Sequence, residues 1–305
     1  MEIPISWIFS VIIFLLIPIL IILKLLKPIK KLNLPPGPRK LPIIGNLHQL
    51  ASKNTPPHHR LQELAGVYGP IMHLRLGEVP TVIISSADLA KVVMRAHDAN
   101  FANRPELIVA KDLYYDYSDI GLAPYGEYWR QVRKIATLEL FTARRVQSFR
   151  AIREEETTNF IKSIASEAAQ GCSVNLSHRV FGLIFDITSR TVFNRKGGEQ
   201  EAFRALVTLM SKVFSGFSIA DLYPSIKFLH SIGGMKKTIK EMVEESNRIL
   251  DPIIQEHKSN MKQQGNVDHQ EDLVDVLLKF HKEDPHNTDF SLTNNNIKAI
   301  ILVST

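Results

Sequence analysis

Cysteine is the scarcest of the chemically reactive side chains in this 305-residue sequence, which has a single copy, Cys172. One cysteine excludes an internal disulfide and any zinc or iron–sulfur site built from several thiolates. Walker A and G-x-G-x-x-G loops are also missing, which removes the usual sequence signals of nucleotide binding. With 45% hydrophobic and 22% charged residues, the chain still has the composition of a folded protein with an ample core.

The net charge of +6 is concentrated in residues 24–40, which hold basic side chains and no acidic one. The bases there are Lys24, Lys27, Lys30, Lys31, Arg39 and Lys40. Residues 41–305 are nearly balanced, so the positive charge does not form the broad basic surface typical of nucleic-acid binding. We therefore predict no nucleic-acid partner.

Residues 3–23 contain no charged side chain and are mostly Ile, Leu, Phe and Val. A helix of this length spans about 31 Å, which matches a bilayer core of about 30 Å. A cleaved secretory signal is the alternative, but the stretch has neither a basic segment before it nor a small-residue cleavage site after it. We predict a transmembrane signal-anchor helix at 3–23, with the basic residues behind it holding the remaining chain in the cytosol.

Residues 24–40 are predicted to form a basic and proline-rich hinge between this anchor and the body of the protein. The hinge contains Pro35-Pro36-Gly37-Pro38 near its end. Because proline fixes φ and lacks an N–H donor, this segment is a stiff, non-helical spacer.

Apolar–polar alternation predicts one small β-element, made of a strand around Met72–Leu76 and a returning strand at Thr81–Ile84. Beyond residue 125 helical spacing dominates, and a loop is predicted at 259–270. Long helices are predicted near 176–194, 199–216 and 235–258. Ser86 and Thr293 are predicted N-caps. The fold class is therefore mainly α with a small β-element.

Two other kinds of enzyme site receive little support. The His58-His59 pair and the His281…His286 pair lack the spacing of zinc ligands, so we predict no metal site from them. Ser218 lies in Gly216–Ala220, which lacks the second glycine and the preceding strand of a nucleophile elbow. A serine hydrolase is kept only as a minor alternative.

The segment Tyr125–Lys134 carries the most informative polar pair. On a helix, Trp129 and Arg133 are four residues apart and share a face. Their indole N–H and guanidinium together suit a carboxylate that must be held in a fixed plane. On spacing alone, a cation–π pair on a surface helix is the favoured interpretation, because it is the commoner use of Trp and Arg.

The order of several segments resembles the plant microsomal cytochrome P-450 monooxygenase family. The segments are the anchor, the proline hinge, the strand pair, Phe101–Pro105, the Trp129/Arg133 helix, Asp221–Ser225 and Glu271–Leu278. The resemblance covers essentially the whole chain and implies the N-terminal part of the cytochrome P-450 fold. We accordingly expect residues 41–305 to form an incomplete cytochrome P-450-like domain.

The resemblance implies roles for particular residues. Trp129 and Arg133 correspond to residues that hold a propionate of haem b, and Arg104 lies near the haem edge. The substrate pocket is expected to be roofed by two segments, near 106–124 and 205–235. Its candidate residues are Tyr114, Tyr115, Ile120, Leu122, Phe214 and Phe217; ordinary core packing is the alternative for each.

The resemblance also shows which chemistry this sequence does not carry. In the family a cysteine thiolate in a Gly/Arg-rich loop binds the haem iron, and Cys172 lies in no such loop, so it is not the haem ligand. The Glu-x-x-Arg pair and the acidic-Thr motif are missing, and no Ala-Gly precedes Thr305. We expect no catalytic residue and no metal ligand in this chain, and no turnover by the chain alone.

The function implied is a haem-dependent monooxygenase that oxidises a small lipophilic molecule resembling a plant secondary metabolite. The implied partners are an NADPH-dependent cytochrome P-450 reductase, membrane lipid and the substrate. The implied location is the endoplasmic reticulum membrane, with a single span and a cytosolic body. A non-catalytic, membrane-anchored interaction protein remains the alternative.

Overall fold

A computed structural model describes residues 33–51, 55–194, 200–214, 218–226, 228–229, 234–263, 271–281 and 290–304. The predicted anchor at 3–23 and the first part of the hinge, at 24–32, lie outside the described residues. Phe217 and Thr305 also lie outside them.

Helices dominate the described residues, and a single antiparallel hairpin is the small β-element that the sequence predicts. The hairpin pairs Ile71–Leu76 (β1) with Val79–Ile84 (β2). The shorter helices are Leu47–Leu50 (α1), Pro57–Tyr68 (α2), Ala87–Lys91 (α3), Asp98–Phe101 (α4), Ile108–Leu113 (α5), Glu127–Ile135 (α6) and Ala143–Ser148 (α7). The later helices are Arg150–Ala169 (α8), Leu176–Phe193 (α9), Gln200–Phe214 (α10), Ile219–Leu222 (α11), Met235–Gln263 (α12), Leu273–Leu278 (α13) and Asn294–Ser304 (α14). Turns of π-helix follow α3 at Val92–Ala96 and α6 at Ala136–Leu140.

The hairpin follows from side-chain alternation. Met72, Leu74 and Leu76 are buried on one face of β1, whereas the residues between them are half-buried. Leu74 and Leu76 pack with Leu50 in a small cluster beneath α1 and α2. The hairpin also fixes the hinge, since the N–H of His73 donates to the carbonyl of Pro36 at 2.9 Å.

The main core surrounds α12, which packs against α5, α10 and α13. Its buried residues include Met242, Ile249, Leu250 and Ile254. The apolar stretch of α14 completes this core, with Ile297 and the run from Ala299 to Leu302 buried.

Local capping rules predicted the starts of two helices. The Ser86 side chain accepts the N–H of Leu89 at 3.2 Å, and Thr293 Oγ1 accepts the N–H of Asn296 at 3.2 Å, so both predicted caps are confirmed. The loop predicted from residue 259 is wrong at its start, because α12 continues to Gln263. The mostly polar residues 259–263 are typical of a loop. They continue the helix here because its preceding turns are packed into the core, so the helix does not have to start again.

The stretch Glu201–Leu222, of which residues 215–217 lie outside the described set, is long and apolar enough to cross a membrane by length and composition alone. Of its most apolar 18 residues, 27% are buried in the protein. The stretch therefore gives only weak support for a membrane span.

Candidate functional site

Trp129 and Arg133 lie one turn apart on α6, as the sequence predicts. The guanidinium carbon of Arg133 is 5.0 Å from the centre of the Trp129 ring, so the two form the cation–π contact that spacing alone allows. Arg133 is exposed. Within the described ranges its guanidinium has no ion pair and no hydrogen bond to protein. Its N–H donors are therefore available to an external acceptor.

The indole of Trp129 is held by a loop that the sequence did not assign to it. Trp129 Nε1 donates to the carbonyl of Ile120 at 3.0 Å. The next carbonyl, that of Gly121, accepts Arg104 Nε at 3.0 Å. Two neighbouring backbone carbonyls thus bring Trp129 and Arg104 to one place, and all three predicted donors belong to one neighbourhood.

This donor set fits a carboxylate. An indole N–H and two guanidinium groups are all donors, and Arg–carboxylate pairs are among the strongest hydrogen-bonded contacts in proteins. Trp129 has one N–H, so it must exchange Ile120 for the ligand. No thiolate belongs to the set, since the only cysteine, Cys172, is exposed in the turn that follows α8. The residues present therefore fit the carboxylate edge of a haem and not its iron.

The candidate pocket residues lie in or against the main core. Tyr114 is buried and its ring stacks on Phe214 at 5.6 Å between centroids, which joins α10 to the loop after α5. Tyr115, Ile120 and Leu122 are half-buried against the same cluster. Burial raises the pKa of Tyr114 to about 12, so its phenol is neutral at physiological pH. The structure brings these five residues together, and their contact with substrate stays a prediction.

The loop after α5 has an unusual backbone. Tyr115, Asp116 and Tyr117 have φ values of +47°, +62° and +56°, a left-handed run without glycine. Such residues each cost on the order of 1–2 kcal/mol, so other contacts must hold the run in place. Tyr117 Oη donates to the carbonyl of Leu107 at 3.2 Å, and Tyr115 Oη donates to Asn247 Oδ1 at 2.7 Å.

Asn247 links this loop to a buried lysine on α14. Lys298 is 4% exposed, and its Nζ donates to Asn247 Oδ1 at 2.7 Å and pairs with Asp251 Oδ1 at 2.5 Å. It also lies 5.5 Å from the centre of the Tyr115 ring. The sequence gives no local signal of this network, because its members are far apart in the chain.

Two cavities open next to these elements. One, of about 490 Å³, is lined mainly by apolar residues of α7, α9, α13 and α14, together with Ile120. The other, of about 730 Å³, lies between the start of α5 and the residues around α11, and includes Ser218. Its described lining contains no histidine, so the Ser–His pair of a typical serine hydrolase has no support there.

His257, Asp272 and Asp275 form a buried cluster that the sequence pattern does not predict. His257 Nδ1 lies 2.9 Å from Asp275 Oδ1, and its Nε2 lies 3.6 Å from Asp272 Oδ2. The two aspartates form a reciprocal capping box at the start of α13. Potential ligand atoms of all three lie within 4.8 Å of one another, a spacing that a metal ion can bridge. Because these groups already bind one another, the cluster is explained as a clamp between α12 and α13.

Burial raises the pKa of the Asp272 carboxyl to about 6, against the opposing charge of His257. In the folded chain Asp272 therefore keeps its proton up to about pH 6, whereas in the unfolded chain it releases the proton near pH 4. The free energy of unfolding consequently falls as the pH rises from about 4 through about 6. Asp272→Asn keeps the capping oxygen and removes this titration. We expect the variant to lack the decline between about pH 4 and 6, measured as urea midpoints over a pH series. Identical slopes in parent and variant would contradict this assignment.

Comparison with known proteins finds a matching family model and relatives along most of the chain. The family model described as Cytochrome P450 matches residues 35–304. The chain is 48% identical over 277 residues to cytochrome P450 71D11 of Lotus japonicus, covering 90% of this chain and 56% of that protein. It is 44% identical to melianol synthase CYP71BQ4 of Citrus sinensis, covering 88% of the chain and 52% of the relative. It is also 44% identical to desmethyl-deoxy-podophyllotoxin synthase of Sinopodophyllum hexandrum, covering 90% and 53%.

The fold has a solved counterpart in a zebra fish cytochrome P450 determined with progesterone. The TM-score is 0.64 at 21% identity, over 82% of this chain and 55% of that one. At this identity the likeness concerns the fold alone. The chain spans about half the length of the curated relatives it matches.

Proposed function

Because the chain belongs to the cytochrome P450 family, we propose that it supplies the haem-edge and substrate-roof part of a monooxygenase that oxidises a small lipophilic molecule. The observation that carries the proposal is the Trp129–Arg133 pair, with Arg104 held beside it by the 120–121 carbonyls. When bound through a cysteine thiolate, haem supplies the activation of O₂.

The proposed task of Trp129, Arg133 and Arg104 is to hold a haem propionate. The unpaired guanidinium of Arg133 balances the charge of the carboxylate, and the indole N–H fixes its plane. Tyr114 and Phe214, stacked on one another, help to exclude water on the roof side of the pocket. The hydrophobic candidate pocket residues Tyr114, Ile120, Leu122 and Phe214 support a lipophilic substrate. The relatives named for melianol and desmethyl-deoxy-podophyllotoxin support a plant small molecule.

An acidic electron-donor protein is the proposed redox partner, in this family an NADPH-dependent reductase. The basic face at residues 127–150 carries Arg130, Arg133, Lys134, Arg144, Arg145 and Arg150 against Glu127 and Glu139, and the protein neutralises it only partly. Arg130, Arg145 and Arg150 pair with Glu127, Glu271 and Glu154 respectively. Lys134 and Arg144 are exposed and have no ion pair within the described ranges. These free charges support electrostatic steering of an acidic partner to this face.

A membrane-facing surface is proposed next to the hinge. The apolar side chain of Ile43 is 72% exposed to solvent. Ile43 also has a φ of +66°, which is a strained backbone conformation for a β-branched residue. Phe228, in the segment after α11, is also exposed. This segment is bound to the turn of the β1–β2 hairpin, because the Glu78 carboxylate accepts both the N–H and the hydroxyl of Ser225. These features support attachment to the endoplasmic reticulum membrane beside the predicted anchor at 3–23, with the body in the cytosol.

The proposal predicts that this chain alone does not form a thiolate-ligated haem. The full chain, expressed with haem supplied and then reduced under carbon monoxide, is expected to show no difference band of thiolate-ligated ferrous haem, because Cys172 lies in an exposed turn. The Lotus japonicus relative, treated identically, is the positive control. A clear band from this chain would contradict the proposal.

A further inference from the structure

Asp119 is a fully buried carboxylate beside the proposed propionate site. Its Oδ1 accepts the N–H groups of Gly121 and Leu122 at 2.6 and 2.8 Å. Its Oδ2 is buried and has no hydrogen-bond partner among the described residues. Burying a carboxyl group with one unpartnered oxygen costs free energy, and the two N–H hydrogen bonds to Oδ1 offset part of that cost.

The turn that Asp119 closes presents backbone carbonyls to the surrounding donors. The carbonyl of Ser118 accepts the Tyr128 hydroxyl at 2.6 Å, immediately before Asp119. The carbonyls of Ile120 and Gly121 then accept Trp129 and Arg104. Two of these three donors are the residues proposed to bind the propionate.

Gly121 leaves this turn little room to change. A Cβ at this position would lie 3.1 Å from Asp119 Oδ1 and 3.4 Å from a methyl group of Val303 on α14. The turn is therefore packed between the Asp119 carboxylate and α14. Its carbonyls keep fixed directions as long as both N–H groups remain bound to Asp119.

We propose that Asp119 is a positioning residue for the haem edge, which sets the directions of Trp129 and Arg104 through the carbonyls of Ile120 and Gly121. This inference rests on the proposed function of Trp129, Arg133 and Arg104. The single indole N–H of Trp129 donates to the carbonyl of Ile120, and this hydrogen bond is exchanged for one to the propionate when the ligand binds. Without Asp119 the indole loses this starting geometry, although every donor of the site is still present.

The sequence offers a direct probe, because it has only two tryptophans, Trp7 and Trp129. Trp7→Phe in the full chain, purified in detergent, leaves the fluorescence of Trp129 as the sole indole signal. Iron-free protoporphyrin IX keeps both propionates and cannot be held by a thiolate or a histidine. Its dimethyl ester lacks the carboxylates. Titration of each porphyrin against Trp129 fluorescence thus measures the carboxylate contact without any activity.

In this background, protoporphyrin IX is expected to bind at least about tenfold more tightly than its dimethyl ester, as expected for a charge-assisted hydrogen bond. Asp119→Ala is expected to weaken binding of the diacid about threefold to tenfold and to raise the acrylamide quenching of Trp129. Asp119→Asn keeps the Oδ1 acceptor and is expected to restore both values. Asp112→Ala, which removes an exposed carboxylate on α5, is the matched control and is expected to change neither.

Gly121→Ala provides a second test should Asp119→Ala fail to fold, since its added methyl group pushes the carboxylate away from the turn. It is expected to weaken diacid binding and expose Trp129 with an unchanged far-ultraviolet circular dichroism spectrum. Parent-like Trp129 quenching and porphyrin affinity in a folded Asp119→Ala or Gly121→Ala variant would overturn the inference while leaving the proposed function intact. Equal binding of diacid and ester, with no effect of Arg133→Ala, would instead overturn the proposed function and the inference together.

Discussion

Replacing His257 with alanine is expected to lower the free energy of unfolding by about 3–5 kcal/mol, because it leaves two carboxylates facing each other in the core. His257, Asp272 and Asp275 are all buried, and the imidazole contacts a carboxylate through each of its nitrogens. The whole chain is expected to be stable by only about 5–15 kcal/mol, so this is a large fraction. Urea unfolding followed by circular dichroism measures the change as a shift of the midpoint.

The matched control for this prediction is His59→Ala, which removes an exposed histidine on α2. We expect the control to change stability by less than about 0.5 kcal/mol. The double variant His257→Ala/Asp272→Asn is expected to be more stable than His257→Ala alone, because the Asp272 charge, one of the two unpaired buried carboxylates, has been removed. A His257→Ala variant as stable as the His59→Ala control would show that the cluster does not hold α13 to α12.

The position of His257 explains why the sequence did not reveal this clamp. Each partner is ordinary by itself: Asp272 and Asp275 read as a helix start, and His257 reads as one more polar residue on a long helix. The contact requires the chain to return as α13 and to place Asp272 and Asp275 against α12. Because this return depends on tertiary packing, local pattern did not supply it.

Elements set by local chemistry were predicted well. The β1–β2 hairpin follows from strict alternation, and the Ser86 and Thr293 caps follow from the side-chain oxygen that each residue offers to a nearby N–H. The pairing of Trp129 with Arg133 likewise follows from helical spacing.

The rest of the candidate site depends on groups that a sequence does not display. The acceptor of Trp129 is the backbone carbonyl of Ile120, and any residue at that position offers the same atom. The left-handed run from Tyr115 to Tyr117 contains no glycine or asparagine to signal it, since distant contacts such as that with Asn247 hold it. The order of segments identified the family, whereas the geometry of the loop required the structure.

Replacing Asp251 with alanine is expected to cost about 3 kcal/mol, because it leaves the buried ammonium of Lys298 without a carboxylate. This value lies at the lower end for a broken buried pair, since the Asp251 side chain is 52% exposed and water already screens part of the attraction. Lys298→Met removes the charge and keeps most of the side-chain volume, so it is expected to cost less than about 1.5 kcal/mol. Urea unfolding of both variants measures the difference.

The double variant Asp251→Ala/Lys298→Met separates loss of the ion pair from loss of packing. We expect its stability to match that of Lys298→Met alone, because Asp251 has no buried charge to compensate once the lysine is gone. Lys298 and Tyr115 both donate to Asn247 Oδ1, and this contact holds the left-handed loop in place. The rate of amide hydrogen exchange of residues 114–118 should therefore rise in Asp251→Ala. Equal stability of Asp251→Ala and the parent, with unchanged exchange in this loop, would show that the network does not hold the proposed roof of the pocket to α12 and α14.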